Sequence, residues 1–391
     1  MTFPGTTDLF ILRIFSERLA DVGPRDYYLA DYQHYLPGYL YVFWGIGEFV
    51  RLFFSNPSND TYFFILRIPP NVLDMATAFL IFKIVLKWGS PKWAVAAPAL
   101  YLFNPAVLYN TAPWGQFDAV PTFLMMLAIY LLLESKPELS AGVLAYALLV
   151  KAQSLSIIPL YSLVVVLRTP IKRVVLSAAV AVAVLFFLPL PFFWDDPLFG
   201  GYNLAREMED YYPFTTVNGW NLWQIYGGWP HGDNETWLGI SMQVWGIALW
   251  LSAQSAAGFW MYKRGTDTRS VYWACALVLF AFFILPTRMH ERYLFPFFAF
   301  FLVSALISRR QIPLLLLLYA FISVLHFFNL YYVEQEKPYP ILEPLFDFVL
   351  KQDLVISCLM VASFVVLLAG TLASQFLRVR IRPERATVAS G

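Results

Sequence analysis

A chain of 391 residues that is 59% hydrophobic and only 14% charged, with a mean hydropathy of +0.59, lies far outside the composition of water-soluble domains. Aromatic residues reach 18%, including 13 Trp and 23 Tyr, which suits the interfacial belts of a polytopic membrane protein. A net charge of +1 gives no electrostatic footprint for nucleic acid, and neither a P-loop, a GxGxxG fingerprint nor a metal-ligand spacing occurs.

The chain opens on a polar segment, residues 1–36. Thr7 before Asp8 reads as a helix cap with an acid in the first turn. Ile11, Leu12, Phe15 and Leu19 then recur at helical spacing opposite Arg13, Ser16, Glu17 and Asp21, which predicts an amphipathic helix lying in the membrane interface. Asp8 is either an ordinary first-turn acid or a carboxylate presented at the tip of that helix. Asp31 and His34 follow within a tyrosine-rich run, where the chain enters the bilayer. Most of those tyrosines read as an aromatic belt.

About 20 apolar residues cross a hydrocarbon core as a helix. On that rule the sequence predicts an all-α polytopic membrane protein with about eleven spans: 37–54, 62–87, 93–110, 118–134, 140–168, 173–194, 237–261, 270–286, 293–308, 312–333 and 351–377. We read 140–168 as one span kinked at Pro159, the alternative being two short spans meeting near Gln153. The organisation expected is an external segment 1–36, a transmembrane module 37–194, an external loop 195–236, a second module 237–377 and a basic cytoplasmic tail 378–391. Cys275 and Cys358 fall inside apolar spans and read as packing residues.

Four segments carry polar residues that such a bundle does not need. Gln116 and Asp118 join two spans, as helix caps or as part of a site. Lys151 and Gln153 sit within an apolar run, where a lysine is costly unless Asp118 or an anionic lipid phosphate partners it. The 195–236 loop holds Asp195, Asp196 and Asn221 among tryptophans, a mixture that suits flat sugar faces and hydroxyl edges as well as an ordinary surface loop. Finally, Thr287-Arg288-Met289-His290-Glu291-Arg292 is wedged between two spans. A tight solvated turn would not need two arginines, a histidine and a glutamate, so this cluster is the prime functional candidate.

Lys and Arg favour cytoplasmic loops. Placing Arg168–Arg173, Lys263–Arg269, Arg309–Arg310 and the basic tail inside puts 1–36, 195–236 and 287–292 together on the non-cytoplasmic face. Lys87, Lys92 and Lys136 then fall outside as exceptions; splitting 140–168 into two spans would bring them inside, and segment 1–36 with them.

Trp114-Gly115-Gln116-Phe117-Asp118, Lys151-Ala152-Gln153, Asn221-Leu222-Trp223 and Met289-His290-Glu291-Arg292-Tyr293-Leu294-Phe295-Pro296 together resemble the bacterial and archaeal relatives of GPI mannosyltransferase II, which are GT-C glycosyltransferases. The His-Glu-Arg set is also similar to the His-Glu-Lys set of dolichyl-phosphate-glucose-dependent glucosyltransferases. The likeness runs from Asp8 to about Pro296. It implies a GT-C-like bundle, a polyprenyl-phosphate-linked sugar donor, and a glycan, lipid or protein acceptor. It further implies inverting transfer of a hexose, mannose first, on the outer face. By the same resemblance Asp8 matches the catalytic base. Asp31-Tyr32 with Pro37-Gly38 matches a second family pattern imperfectly, because Gln33–Leu36 intervene. Relatives carry a spanning helix before the first acid, whereas only seven residues precede Asp8, so the expectation is a sequence truncated at its start.

The residues fit that chemistry independently. A carboxylate near the incoming hydroxyl provides general-base catalysis. Arg288, His290, Arg292 and Lys151 suit the leaving phosphate, with Glu291 holding a cation or touching sugar hydroxyls. No cofactor is required, although Asp195 and Asp196 could hold a divalent metal. The alternative function is a transporter or flippase of lipid-linked saccharide, which would be expected to show broken helices in two related halves.

Overall fold

Ser, Thr, Asn, Asp and Pro punctuate this apolar sequence, and its helices start where they stand. The computed structural model describes residues 6–29, 35–308, 311–333 and 343–379. The N-terminal series is α1 (Thr7–Val22), α2 (Pro37–Phe53), α3 (Asn59–Trp88), α4 (Pro91–Leu102) and α5 (Pro105–Thr111). It continues with α6 (Ala119–Leu133), α7 (Pro137–Val150), α8 (Ile158–Arg168) and α9 (Ile171–Phe187). Residues 195–236 are not a plain loop. They contain α10 (Gly200–Asp210), α11 (Leu222–Tyr226) and β1 (Thr236–Trp237), which pairs antiparallel with β2 (Ile240–Ser241), a small departure from an all-α chain. The last series is α12 (Met242–Arg264), α13 (Thr268–Ile284), α14 (Phe295–Ile307), α15 (Ile312–Val333), α16 (Glu343–Leu350) and α17 (Asp353–Val379).

The first helix is capped by Thr6, not Thr7: the Thr6 hydroxyl accepts from the Leu9 amide at 3.2 Å. Its buried face is Leu9, Leu12, Phe15 and Leu19, while Ile11 joins Phe10 and Ile14 on the exposed side. That buried face packs on α2 and α3. The Ser16 hydroxyl donates to the Phe43 carbonyl at 2.7 Å and accepts from the Tyr62 hydroxyl at 3.0 Å. Only glycine fits opposite: a Cβ on Gly47 would lie 2.2 Å from the Ser16 carbonyl oxygen.

Two expected spans are interrupted. The 93–110 stretch breaks at Phe103–Asn104, where the Asn104 side chain caps α5 and Pro105 takes its first position. The 140–168 stretch breaks at Lys151, close to the Gln153 junction of the two-segment alternative, instead of kinking at Pro159. Lys151 is extended (φ −158°, ψ 128°) and begins a 3-10 run, Ala152–Ile157. Pro159 sits in the first turn of α8, where proline costs no helical hydrogen bond.

Every residue of α14 is buried, and it touches α3, α4, α6, α13 and α15, so it is the axis of the bundle. By length and composition α3, α15 and Asp353–Ser374 of α17 can cross a membrane. Ala119–Leu133, Pro137–Val150, Ala152–Arg168 and Thr268–Ile284 are shorter apolar helices. The chain is therefore a helical protein of membrane character. Cys275 is buried as expected, whereas Cys358 is exposed on α17.

Candidate active site

The helix-capping chemistry of α1 builds the first wall of the site. Thr6 caps the helix and donates to the Trp114 carbonyl at 3.0 Å, which pins the 114–118 turn against the helix end. Gly115 makes that contact with φ 84°, and a Cβ there would meet the Leu9 side chain at 2.7 Å. As a result the Asp8 carboxylate accepts from the Trp114 indole N–H at 2.8 Å and from the Gln116 side-chain amide, both through Oδ2.

Asp118, two residues beyond Gln116, is fully buried. Its Oδ1 accepts from Lys151 Nζ, and Asn110 Nδ2 donates to its Oδ2 at 3.5 Å. The helix break at Lys151 delivers that ammonium, which lies 5.3 Å from the centroids of both the Phe117 and Tyr293 rings. A charged, nearly enclosed lysine is thus paired, as its position in an apolar run demands. Gln153 is also buried, and neither polar atom of its amide has a partner among the described residues.

The second wall is the 287–294 turn. Met289 accepts from the Val217 amide at 2.9 Å and from the Thr216 hydroxyl at 3.1 Å, so the 214–221 segment lies alongside it. Arg288, in the left-handed region at φ 64°, is bound through two nitrogens to Asp233, at 2.6 and 3.3 Å. The Thr287 hydroxyl adds a third bond to the same carboxylate at 3.1 Å. Glu291 is buried and accepts from Arg292 Nη1 at 2.6 Å. The Arg292 guanidinium in turn faces the Trp114 ring at 6.0 Å.

The two walls therefore meet at one indole. Asp8 binds the N–H edge of Trp114, and Arg292 lies over its face. Burial opposes the Arg292 charge, but Glu291, Asp8 and Asp118 outweigh it and raise its pKa. Burial, then the neighbouring Arg292 and Lys151 charges, holds His290 well below the usual imidazole range. Those surroundings favour the neutral ring, which packs between Tyr212 and Tyr293 at 5.2 Å from each. Burial pushes the Glu291 carboxyl up, against the pull of Arg292.

Of the candidates read from sequence, Asp8, Gln116, Asp118, Lys151, His290, Glu291 and Arg292 come together here. Arg288 belongs to the rim, tied to Asp233. Asn221 is fully buried but is engaged elsewhere: its Oδ1 caps α11, and its Nδ2 donates to the Phe283 carbonyl at 3.1 Å. Asp195 is exposed and pairs with Arg25 at 3.2 Å, while Asp196 caps the turn into α10 by accepting from Phe199 N at 3.2 Å. Among the described residues no group of three or more His, Cys, Asp or Glu side chains gathers to hold a metal. Asp31 and His34 lie outside the described residues. Sequence reading missed Asp233, which stands 55 positions before Arg288 with no motif around it. It also passed over Trp114 and Tyr293 as individual residues, although both stood inside the recognised motifs.

No curated protein matches this chain. Residues 69–325 match the family model of glycosyltransferase family 87, a stretch that includes both walls except Asp8 and Thr6. Because that match covers more than half of the 391 residues, the chain belongs to glycosyltransferase family 87, a family of the GT-C type.

Proposed function

We propose that this transferase moves a hexose from a polyprenyl-phosphate carrier to a glycan-, lipid- or protein-linked acceptor on the non-cytoplasmic face of the membrane, with inversion. The finer kinship with relatives of GPI mannosyltransferase II belongs to this proposal and makes mannose the first choice of sugar. The observation that carries it is the shared indole: an anchored carboxylate at one edge of Trp114 and a largely buried guanidinium over its face.

In the proposed step the acceptor hydroxyl oxygen forms a bond to the anomeric carbon, and its proton passes to the Asp8 carboxylate. The bond from the anomeric carbon to the phosphate oxygen breaks, and its electron pair leaves with the polyprenyl phosphate. Arg292 and Lys151, already charged and desolvated, take up the growing negative charge. Trp114 and Gln116 aim Asp8, and Glu291 orients Arg292. Neutral His290 donates or accepts a hydrogen bond at the donor. Arg288 takes no part in the step; it fastens the turn to the fold through Asp233. A divalent metal would be an addition to this scheme, not a requirement, because phosphate is already a good leaving group. The family match supports transfer over the transport of a lipid-linked saccharide.

The test is incubation of the purified protein, in membrane lipid, with radiolabelled polyprenyl-phosphate mannose, glucose and arabinose. Sugar transfer or donor hydrolysis is expected, with mannose fastest. Asp8→Asn should lower turnover by about 10²–10⁴-fold while leaving the melting temperature in place. Wild-type turnover in that variant removes Asp8 from the base role. Movement of intact donor across vesicles, with no chemistry on any of the three, overturns the enzyme reading.

A further inference from the structure

At the end of the bundle opposite the candidate site the helices part. The C-terminal ends of α12, α14 and α17 and the N-terminal ends of α13 and α15 enclose a cavity of about 1260 Å³. The 11 residues of α13 beyond Trp273 separate it from the 287–294 turn by about 17 Å along the helix axis. This space therefore takes no part in the chemistry described above.

Its two ends differ in character. One wall is apolar: Leu314, Leu318, Phe321 and Leu367 line it. Outward-facing Leu317 and Val366, 68% and 65% exposed, leave that wall open to the surroundings of the bundle. The mouth is polar and cationic. The Arg264 guanidinium lies 5.0 Å from the Trp260 ring centroid and donates to the Ser374 hydroxyl at 2.9 Å. Trp273 donates to the Thr371 hydroxyl at 2.9 Å, so the rear of the mouth is fixed by bonds between helices. Arg269 is exposed at the rim, and among the described residues it makes no ion pair. The nearby acid, Asp267, is committed to capping α13, accepting from the Arg269 and Ser270 amides.

We infer that this cleft is a binding site for one anionic phospholipid, its phosphate at the Arg264–Arg269 mouth and an acyl chain along Leu314–Phe321 and Leu367. Charge complementarity selects the occupant. An apolar helix of a partner would leave the exposed Arg269 guanidinium unmatched, and a free anion would leave the apolar wall wet. An amphiphile satisfies both. The volume also exceeds that of most small-molecule pockets, as a chain-bearing ligand requires.

Gly370 supplies a clean way to close the cleft. It lines the cavity within α17, and a Cβ built there meets nothing within 4 Å. Gly370→Phe should therefore project a ring into the cleft from a position whose Cβ meets no neighbour. The experiment delipidates the full-length protein, adds phosphatidylglycerol, phosphatidylcholine or inorganic phosphate, and reads retained ligand by native mass spectrometry. Wild type should keep one phosphatidylglycerol, with phosphatidylcholine several-fold less and inorganic phosphate not at all. Gly370→Phe should lose the bound lipid. Arg269→Gln, an exposed change that cannot unfold the bundle, should lower the preference for the anionic lipid about fivefold. Equal retention of the two lipids, or wild-type retention in Gly370→Phe with a normal melting curve, overturns the proposal. So does binding of inorganic phosphate alone, or a dimer that persists without lipid and disappears in Gly370→Phe.

Discussion

Arg288 and Arg292 stand four residues apart on one turn and are held by different regions of the molecule. Arg288 is gripped by the 213–233 segment: two of its nitrogens and the Thr287 hydroxyl converge on both oxygens of Asp233. Arg292 gives Nη1 to its neighbour Glu291, and its Nε has no partner among the described residues. It lies instead over Trp114, on the side of the helix junctions that carry Asp8 and Lys151. A bidentate pair with both acceptor oxygens filled is a fastener. A largely buried guanidinium with a nitrogen to spare, beside an acid and an ammonium, is equipped to receive an anion. Neighbouring identical residues are thus distinguished by how much of their hydrogen-bonding capacity the fold has already used.

The sharpest way to break this comparison is to remove the fastener. Asp233→Ala would take a buried carboxylate and two charged hydrogen bonds from largely buried Arg288, which should cost about 3–5 kcal/mol of stability. Donor affinity of the fraction that remains folded should change little. Thermal or denaturant unfolding, paired with donor titration, reads both. If instead donor use collapses while the melting curve stays in place, the Arg288–Asp233 pair belongs to the binding site, and the contrast between the two arginines fails.

The converse variant is milder. Arg292→Lys keeps a positive charge beside buried Glu291 but removes the planar fork. Stability should hold to within about 1 kcal/mol, while donor use falls by about 10–100-fold, the worth of one hydrogen bond between charged groups. Measuring kcat and KM for the polyprenyl-phosphate donor checks it. Unchanged constants would place the donor phosphate elsewhere, with Lys151 the next candidate.

The parts of this site that sequence disclosed were those whose cost is local. A lysine at position 151 in an apolar run must have a partner, and Asp118 was one of the two named for it. Charges packed between two spans at 288–292 likewise announce themselves. The partner of Arg288 was not legible, because Asp233 lies in an ordinary polar loop and its role exists only once that loop folds back over the turn. Helix boundaries divide in the same way. Asn104-Pro105 and Lys151 end helices through capping and ion pairing, events at single residues inside stretches whose average hydropathy reads as one span. The outward side of α1 shows a further limit. Ile11 belongs with the buried face by spacing but stands exposed beside Phe10 and Ile14, because a membrane protein can leave apolar residues facing outward without penalty.

The smallest effect tests the enclosure of the two walls. The His290 ring is held below its ordinary value of 6.5, by burial and then by Arg292 and Lys151, so the native chain binds fewer protons there than the unfolded chain. Stability from this residue is present above the unfolded pKa and is lost as pH falls below it, by up to about 1.4 kcal/mol per pH unit. Glu291 acts in the opposite sense. Its raised carboxyl binds protons more readily in the native state, so its contribution declines as pH rises above 4.5. Substituting His290 separates the two, since Glu291 remains in both proteins. Between about pH 7 and pH 5.5, wild type should lose about 1 kcal/mol more stability than His290→Asn, measured by denaturant midpoints at each pH. Parallel pH curves for the two proteins would mean that the ring titrates as a solvated imidazole. The turn carrying Arg292 would then be open to water, and the spare Nε of the guanidinium over Trp114 would be hydrated instead of kept for the donor phosphate.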